Sequence, residues 1–290
     1  MIGEGGSGVV YECVREGSSG EPHVAIKVLN DALSAEPEVV ARFEREAAVA
    51  KRIESAHVVR VHEFGRDGDR PYLVMELVRG RDLGALLAGP RLPVERAVRL
   101  VRQVLVGLEA VHATGAVYRD LKPENVLVEA GPGGECAKLV DFGMSKEASS
   151  LAFTEPGIVL GTPAYVAPEQ ARGAEADARA DVYSAGAVLF ECLTGRTPHV
   201  APNAQAMLVA VATTKAPDVR AFAPRLPRAL AGIVNRALAA PAERYPSARA
   251  MELALARLEP FTDASRPWRW LYGAVALLVG ALATAWWLTR

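Results

Sequence analysis

The sequence predicts an α+β protein of two lobes: a small antiparallel-sheet lobe with one helix, then a larger, mainly helical lobe, with one C-terminal transmembrane helix. Three observations predict this. Short β-branched runs crowd the N-terminal part, the pattern turns helical after Gly80, and the closing segment Leu271–Leu288 carries no charge. With 290 residues, 50% of them hydrophobic, the chain is long enough for one large domain or two lobes sharing a cleft.

Residues 9–14 and 24–29 are apolar runs separated by the turn-like Glu16–Pro22, which reads as a hairpin. A helix is predicted over Pro37–Ser55, where Val39, Phe43, Ala47 and Ala50 recur at helical spacing. Val58–Phe64 and Pro71–Val78 read as two strands around the polar turn Arg66–Arg70. The clearest helix is Pro93–Thr114. Pro93 suits a first helical position, Ala97, Val101, Val104, Leu105, Leu108 and Val111 form its stripe, and Gly115 stops it. Further helices are predicted over Ala178–Thr194, Ala204–Thr213, Leu226–Leu238 and Ser247–Leu258.

As a helix, Leu271–Leu288 would span roughly 27 Å, close to the hydrocarbon thickness of a bilayer. Trp268, Trp270 and Tyr272 at one end, and Trp286 and Trp287 at the other, resemble an aromatic belt at each interface; a buried core helix is the other reading. Arg266 and Arg269 stand on one side and Arg290 on the other, so charge gives little orientation. Ala276, Gly280 and Thr284 would allow a homodimer packing face, although such spacing is common by chance in Ala/Gly-rich spans.

A formal net charge of −1 leaves no basic excess for a nucleic-acid backbone, so nucleic acid is not an expected partner. The 3 cysteines, Cys13, Cys136 and Cys192, are far apart and form no CxxC pair, which argues against a disulfide framework or zinc site and for a reduced, cytoplasmic catalytic portion. Met1 runs directly into a glycine-rich segment, with no secretory signal pattern.

Four segments carry chemistry. In GEGGSGVV, residues 3–10, the glycines let backbone N–H groups approach a phosphate. A Rossmann turn shares this spacing but continues into a helix; here Val9, Val10 and Tyr11 continue as a strand, which favours a glycine-rich hairpin over a nucleotide. In Val24-Ala25-Ile26-Lys27, the lysine shares the strand's alternation with Ala25 and needs a partner for a partly buried ammonium. Glu46, on the face of Phe43, Ala47 and Ala50, is the natural one, leaving Lys27 placed to bind phosphate oxygens; alternatively, Glu46 merely flanks the stripe. The run Tyr118-Arg119-Asp120-Leu121-Lys122-Pro123-Glu124-Asn125 gathers a carboxylate, an ammonium and a carboxamide, pinned by the apolar Val126-Leu127-Val128. Asp120 could take a hydroxyl proton, Lys122 neutralise a γ-phosphate, and Asn125 offer oxygen to a hard cation. Leu139-Val140-Asp141-Phe142-Gly143 ends an apolar strand in an acid at a hinge, which suits a metal ligand.

Together with Gly161-Thr162-Pro163-Ala164-Tyr165-Val166-Ala167-Pro168-Glu169, these segments resemble, in order over residues 2–258, the eukaryotic-type (Hanks-type) protein kinases, and the bacterial membrane-anchored Ser/Thr kinases in particular. The resemblance implies a phosphotransferase that uses ATP and Mg²⁺, with Mn²⁺ able to serve, on Ser/Thr hydroxyls of protein substrates in membrane signalling. It implies that Lys27 holds the α/β-phosphates and pairs with Glu46. Asp120 is then the catalytic base, Lys122 assists transfer, and Asn125 with Asp141 binds the metal. It places Gly3, Gly5, Gly6, Ser7 and Gly8 over the phosphates. Ile2, Val10, Ala25 and Leu127 become adenine walls, Met75 the gatekeeper, and the Glu76–Val78 backbone the adenine-binding hinge. Asp181 resembles the large-lobe helix anchor, and Glu169 with Arg244 a family ion pair. The implied boundaries are 1–75 for the N-lobe, 76–80 for the hinge and 81–258 for the C-lobe. A juxtamembrane linker at 259–267 and a transmembrane helix at 268–288 follow, with the kinase on the cytoplasmic side of the inner or plasma membrane.

Two departures stand out. Tyr118 occupies a position usually held by His, where the residue is expected only to pack. Met1 stands inside the first strand, which is expected to be short, and only Thr289 and Arg290 follow the span, where relatives often carry an extracellular sensor. The short strand keeps open a rival reading, a membrane-tethered pseudokinase that binds nucleotide without efficient transfer. A small-molecule kinase of similar fold fits the GTPAYVAPE segment poorly. Within the resemblance, Arg119, Thr162 and Thr154 are regulatory: a phosphate on Thr154, in the loop of residues 144–166, would form charge-assisted hydrogen bonds with Arg119. A Thr154→Ala chain is therefore expected to lose γ-phosphate transfer, and full activity of that chain would contradict the assignment.

Overall fold

The computed structural model describes residues 1–14, 23–141 and 163–258. A five-stranded antiparallel sheet opens the chain, in the order β1-β2-β3-β5-β4, from β1 (Gly3–Gly5), β2 (Gly8–Cys13), β3 (Val24–Leu29), β4 (Val61–Asp67) and β5 (Arg70–Glu76). Alternation in β3 turns Ala25, Lys27 and Leu29 to the buried side. A short helix that the sequence pattern does not reveal, α1 (Asp31–Ser34), is capped by Asn30, whose side chain accepts from Leu33 N–H at 2.9 Å.

Helix α2 (Pro37–Ala50) packs Val40, Phe43, Ala47 and Ala50 against the sheet, with Phe43 edge-on to Phe64 at 5.7 Å. It differs from the expected helix in two ways. The buried residue of the first turn is Val40 rather than Val39, and the helix stops at Ala50 rather than Ser55. The chain then turns so that Ile53, Val58 and Val59 enter the core. Val58 and Val59 do not begin β4 as expected. Their backbone is committed to Leu139, through the Val58–Leu139 bridge and a 2.9 Å bond from Val59 N–H to Leu139 O.

A second, three-stranded antiparallel sheet contains β6 (Gly80–Asp82), β7 (Val126–Gly131) and β8 (Gly134–Leu139), in that order. It follows Leu77–Arg79, the only covalent link from the first sheet, and leads into α3 (Leu83–Leu87), capped by Asp82. The helical part is α4 (Val94–His112), α5 (Pro168–Ala171), α6 (Ala178–Thr194), α7 (Ala204–Thr213), α8 (Arg228–Ala237) and α9 (Ala248–Ala256). Pro93 is the N-cap of α4 rather than its first residue, because its ψ of 143° is extended. Helix α6 is buried almost all round and is the axis against which α4, α8 and α9 pack. Arg102 of α4 pairs with the nearly buried Glu252 of α9 at 2.8 Å.

Residues 15–22, which include the expected turn Glu16–Pro22, residues 142–162 and the expected linker and membrane segments at 259–267 and 268–288 lie outside the described residues. Among the described residues no helix is long and apolar enough to cross a membrane.

Packing sets a test of the helical core. A Cβ built on Gly107 of α4 would lie 2.5 Å from His57 O, whereas one on the exposed Gly232 of α8 meets nothing within 4 Å. Gly107→Ala is expected to cost about 1–3 kcal/mol by overpacking. Gly232→Ala should stabilise by roughly 0.5–1 kcal/mol, because alanine holds a helix better than glycine does. Urea unfolding of both variants checks the opposite signs.

Candidate active site

The site lies where the two sheets approach. At its N-terminal edge β1 and β2 form a hairpin with Gly5 opposite Gly8. Gly8 is required by geometry: its φ is 154°, and a Cβ would lie 2.0 Å from Val28 O. Gly5 and Gly6 differ, since a Cβ there meets nothing within 4 Å. The hairpin tip is held from below by Asn30, whose Nδ2 donates to Gly6 O at 2.9 Å while its backbone N–H donates to Ser7 O at 3.3 Å.

Ala25 sits opposite Met75, and Val10 opposite Lys27, so Val10, Ala25, Lys27 and Met75 cluster on neighbouring strands. Ile2 joins them through its N–H to Val10 O at 2.9 Å. Leu127 lies in the second sheet, opposite Asp82 and Lys138.

Lys27 is 3% exposed, and its Nζ donates to Asp141 Oδ1 at 2.6 Å. This differs from the pairing expected with Glu46. Glu46 Oε2 is buried without a hydrogen-bond partner, and burial raises its pKa to about 7 against the opposing charges of Arg42, Arg45, Lys27 and Arg119. The ammonium charge therefore acts on Glu46 without a hydrogen bond between them. Lys27 is committed to the carboxylate of Asp141, which is 45% exposed and so less costly to ionise.

The catalytic-loop candidates converge. Asn125 Nδ2 donates to Asp120 O at 2.8 Å and to Asp120 Oδ2 at 3.0 Å, and Lys122 Nζ lies 3.5 Å from the same Oδ2. Asn125 O accepts from Val140 N–H at 3.0 Å, which ties this loop to the residue before Asp141. The amide nitrogen of Asn125 is occupied, so its oxygen is the group left to face a cation. Among the described residues no group of three or more His, Cys, Asp or Glu side chains could hold a metal ion. A carboxamide and a carboxylate fit a magnesium-like ion that draws its remaining ligands from phosphate and water.

The loop is anchored from behind by Asp181 of α6, which is 0% exposed. It accepts from Tyr118 N–H and Arg119 N–H, each at 2.8 Å, and from His112 Nε2 at 2.7 Å. Arg119 has a φ of 66°, and its Nε is buried without a partner among the described residues. Thr154 and Thr162 lie outside the described residues. Glu169 and Arg244 form the expected ion pair, which is bidentate, with Arg244 NH2 donating to Glu169 Oε2 at 2.9 Å.

Sequence reasoning missed three contributors. The Tyr118 hydroxyl donates to Val140 O, so this residue does more than pack. His112 supplies the third donor to Asp181. Behind the link between the sheets, Glu76 pairs with Lys138 of β8, while Arg79 pairs with Glu12 of β2 at 2.6 Å and donates its N–H to Glu129 of β7 at 3.0 Å. No spacing rule reveals these contacts, because each joins residues far apart in the chain or targets a backbone carbonyl.

This architecture and site define a two-lobed protein kinase fold. Residues 1–250 match the protein kinase domain family, and the chain belongs to it. It is 38% identical over 270 residues to serine/threonine-protein kinase PknD of Mycobacterium tuberculosis, covering 92% of this chain and 40% of that protein. It is 39% identical over 274 residues to serine/threonine-protein kinase pkn2 of Myxococcus xanthus, covering 92% and 32%. The chain thus spans less than half the length of these relatives. The crystal structure of the Mycobacterium tuberculosis PknI kinase domain superposes with a TM-score of 0.69 at 31% identity, covering 89% of this chain and 93% of that one.

The Glu46 environment has a pH consequence. Between its ordinary value of 4.5 and its folded value of about 7, the folded chain holds a proton that the unfolded chain has released. Stability therefore falls as pH rises through that window. Glu46→Gln should remove this dependence, so its melting temperature should exceed the parent's at pH 8, with the gap closing toward pH 4.5. Melting curves across that range check the sign.

Proposed function

We propose that this chain is an ATP-dependent serine/threonine protein kinase that transfers the γ-phosphate to Ser or Thr hydroxyls of protein substrates. The carrying observation is the convergence of Asp120, Lys122 and Asn125 in one hydrogen-bonded loop, tied through Val140 to Asp141 and through Asp141 to Lys27.

Each residue takes a role that its environment supports. Gly5 and Gly6 leave space above the hairpin that their own packing does not need, where triphosphate oxygens can approach backbone N–H groups. Val10, Ala25, Met75 and Leu127, with Ile2, wall the adenine. Val78 N–H, which has no acceptor among the described residues, is free to bind the adenine edge. Lys27 supplies a buried positive charge for the α/β-phosphates. Asn125 and Asp141 would hold Mg²⁺, which neutralises charge on the phosphates when bound. Asp120 orients the substrate hydroxyl and takes its proton as the oxygen–phosphorus bond forms and the bond to ADP breaks. Lys122, beside it, offsets charge on the transferring group. Arg119 carries a buried Nε with no partner among the described residues, suited to an anion such as a phosphorylated Thr154. Glu46 becomes the ionised partner of Lys27 in the active conformation. The uncharged segment within 268–288 serves as a membrane anchor that keeps the kinase lobes near the cytoplasmic face.

One observation favours a second reading. Lys27 pairs with Asp141 and not with Glu46. A chain fixed in that arrangement would bind nucleotide without efficient transfer.

One assay separates the two. The full chain, with labelled γ-phosphate, Mg²⁺ and a generic Ser/Thr protein, is expected to label itself and the substrate. Asp120→Asn should lower the rate by about 10²–10⁴-fold with nucleotide affinity little changed. Nucleotide binding without label from the parent chain would establish the second reading.

A further inference from the structure

Every polar group of Asn30 is committed. Its backbone N–H donates to Ser7 O at 3.3 Å and its side-chain Nδ2 to Gly6 O at 2.9 Å, both in the turn of the glycine-rich hairpin. Its Oδ1 accepts from Leu33 N–H at 2.9 Å. Its carbonyl accepts from Ser34 N–H at 2.9 Å and from the Ser34 hydroxyl at 2.8 Å. We propose that Asn30 is a positioning residue that clamps the glycine-rich turn to the start of α1 and so presets the turn for the triphosphate of ATP. The inference rests on the kinase reading for the identity of the ligand.

The two ends of the amide fix its orientation. Leu33 N–H can only donate, so the atom it meets is the oxygen, and the nitrogen is left for Gly6 O, which can only accept. The turn has need of such a tether. A Cβ on Gly5 or Gly6 would meet nothing within 4 Å, so packing holds neither residue, and glycine's backbone freedom would otherwise leave the turn loose. Gly8 pairs with Leu29 at the end of β3, which brings the following residue, Asn30, to the turn. The clamp also has a direction. A trans peptide points its C=O and N–H opposite ways. Holding Gly6 O against Asn30 therefore turns Ser7 N–H away from Asn30, and Ser7 N–H has no acceptor among the described residues. That group is a donor set in advance for a phosphate oxygen.

Asn30→Ser separates the clamp from the helix cap. Serine caps a helix about as well as asparagine and keeps the backbone bonds, but its side chain is too short to carry a donor to Gly6 O. The full 290-residue chain is used. The Kd of Mg²⁺–ATP is expected to rise about 2–10-fold, the equivalent of one ordinary hydrogen bond. The Kd of adenosine, which offers the turn no phosphate, should stay constant. The amide of residue 30 should exchange hydrogen for deuterium faster, and that of Leu33, whose cap is kept, at the parent's rate. An unchanged Kd for Mg²⁺–ATP, an equal loss for adenosine, or unchanged exchange at residue 30 would overturn the proposal. Both readouts work without turnover, so a parent chain that binds Mg²⁺–ATP and transfers nothing counts against the kinase reading and not against the clamp. Should Asn30→Ser fail to fold, Asn30→Asp decides. Aspartate keeps the cap and deletes the donor, so ATP is again expected to weaken relative to adenosine, and a parent-like ratio of the two would refute the clamp.

Discussion

The site depends on one buried carboxylate. Asp181 lies in the first turn of α6, the most buried helix among the described residues, with no exposure to solvent. An isolated ion there would be prohibitively costly. Three donors compensate: two consecutive backbone N–H groups at residues 118 and 119, and the His112 ring. Hydrogen bonds to a charged group contribute roughly 1.5–3 kcal/mol each, and losing the acceptor would strand all three donors. The backbone torsion next to the consecutive pair, φ of Arg119, is left-handed at 66°. The start of the Tyr118–Asn125 loop is therefore anchored by the helix beneath it.

Glu46 shows the opposite treatment of a carboxylate. It is comparably removed from water on one oxygen, yet no donor reaches that oxygen. Four cations lie near enough to favour its ionised form, but burial outweighs them and the proton stays on to about pH 7. The contrast separates a structural acid from an uncommitted one. Asp181 is satisfied by groups that cannot leave, whereas the cation nearest in function to Glu46, Lys27, is held by Asp141.

Much of this was legible in the sequence. The period of two in residues 24–29 located the strand and placed Lys27 on its inner face. Helical spacing marked α4, α6 and α7, and the helix termini at 178, 194, 204 and 213 fell where the pattern put them. The run from Asp120 to Asn125 was recognisable because its three polar groups are close in sequence, and the structure keeps them close in space. What stayed hidden has a common physical origin. Val58 and Val59 look like strand residues because they are buried and β-branched, but their partner is Leu139, a choice made by tertiary packing. The pairing of Lys27 could not be read because two acids compete for one ammonium. Desolvation, which decides between them, depends on everything around Glu46. The hydrogen bond of Tyr118, expected only to pack, was hidden because its acceptor is a backbone carbonyl, and every residue type offers one.

The charges behind the link between the sheets follow a different logic from those in front of it. Glu76 sends its carboxylate to Lys138 on the second sheet, and Arg79 reaches Glu12 on the first while its N–H is taken by Glu129 on the second. Five side chains, those of Glu12, Glu76, Arg79, Glu129 and Lys138, thus bridge the two sheets around Leu77–Arg79. Glu12 and Arg79 are substantially exposed, so that pair contributes little to stability, whereas Lys138, only 13% exposed, is the better sheltered member of its own. The value of such bridges is geometric. They occupy the side chains of residues 76 and 79, and Val78, between them, has no acceptor for its N–H among the described residues. The link is thus tied to both sheets by contacts that leave the amide of Val78 out.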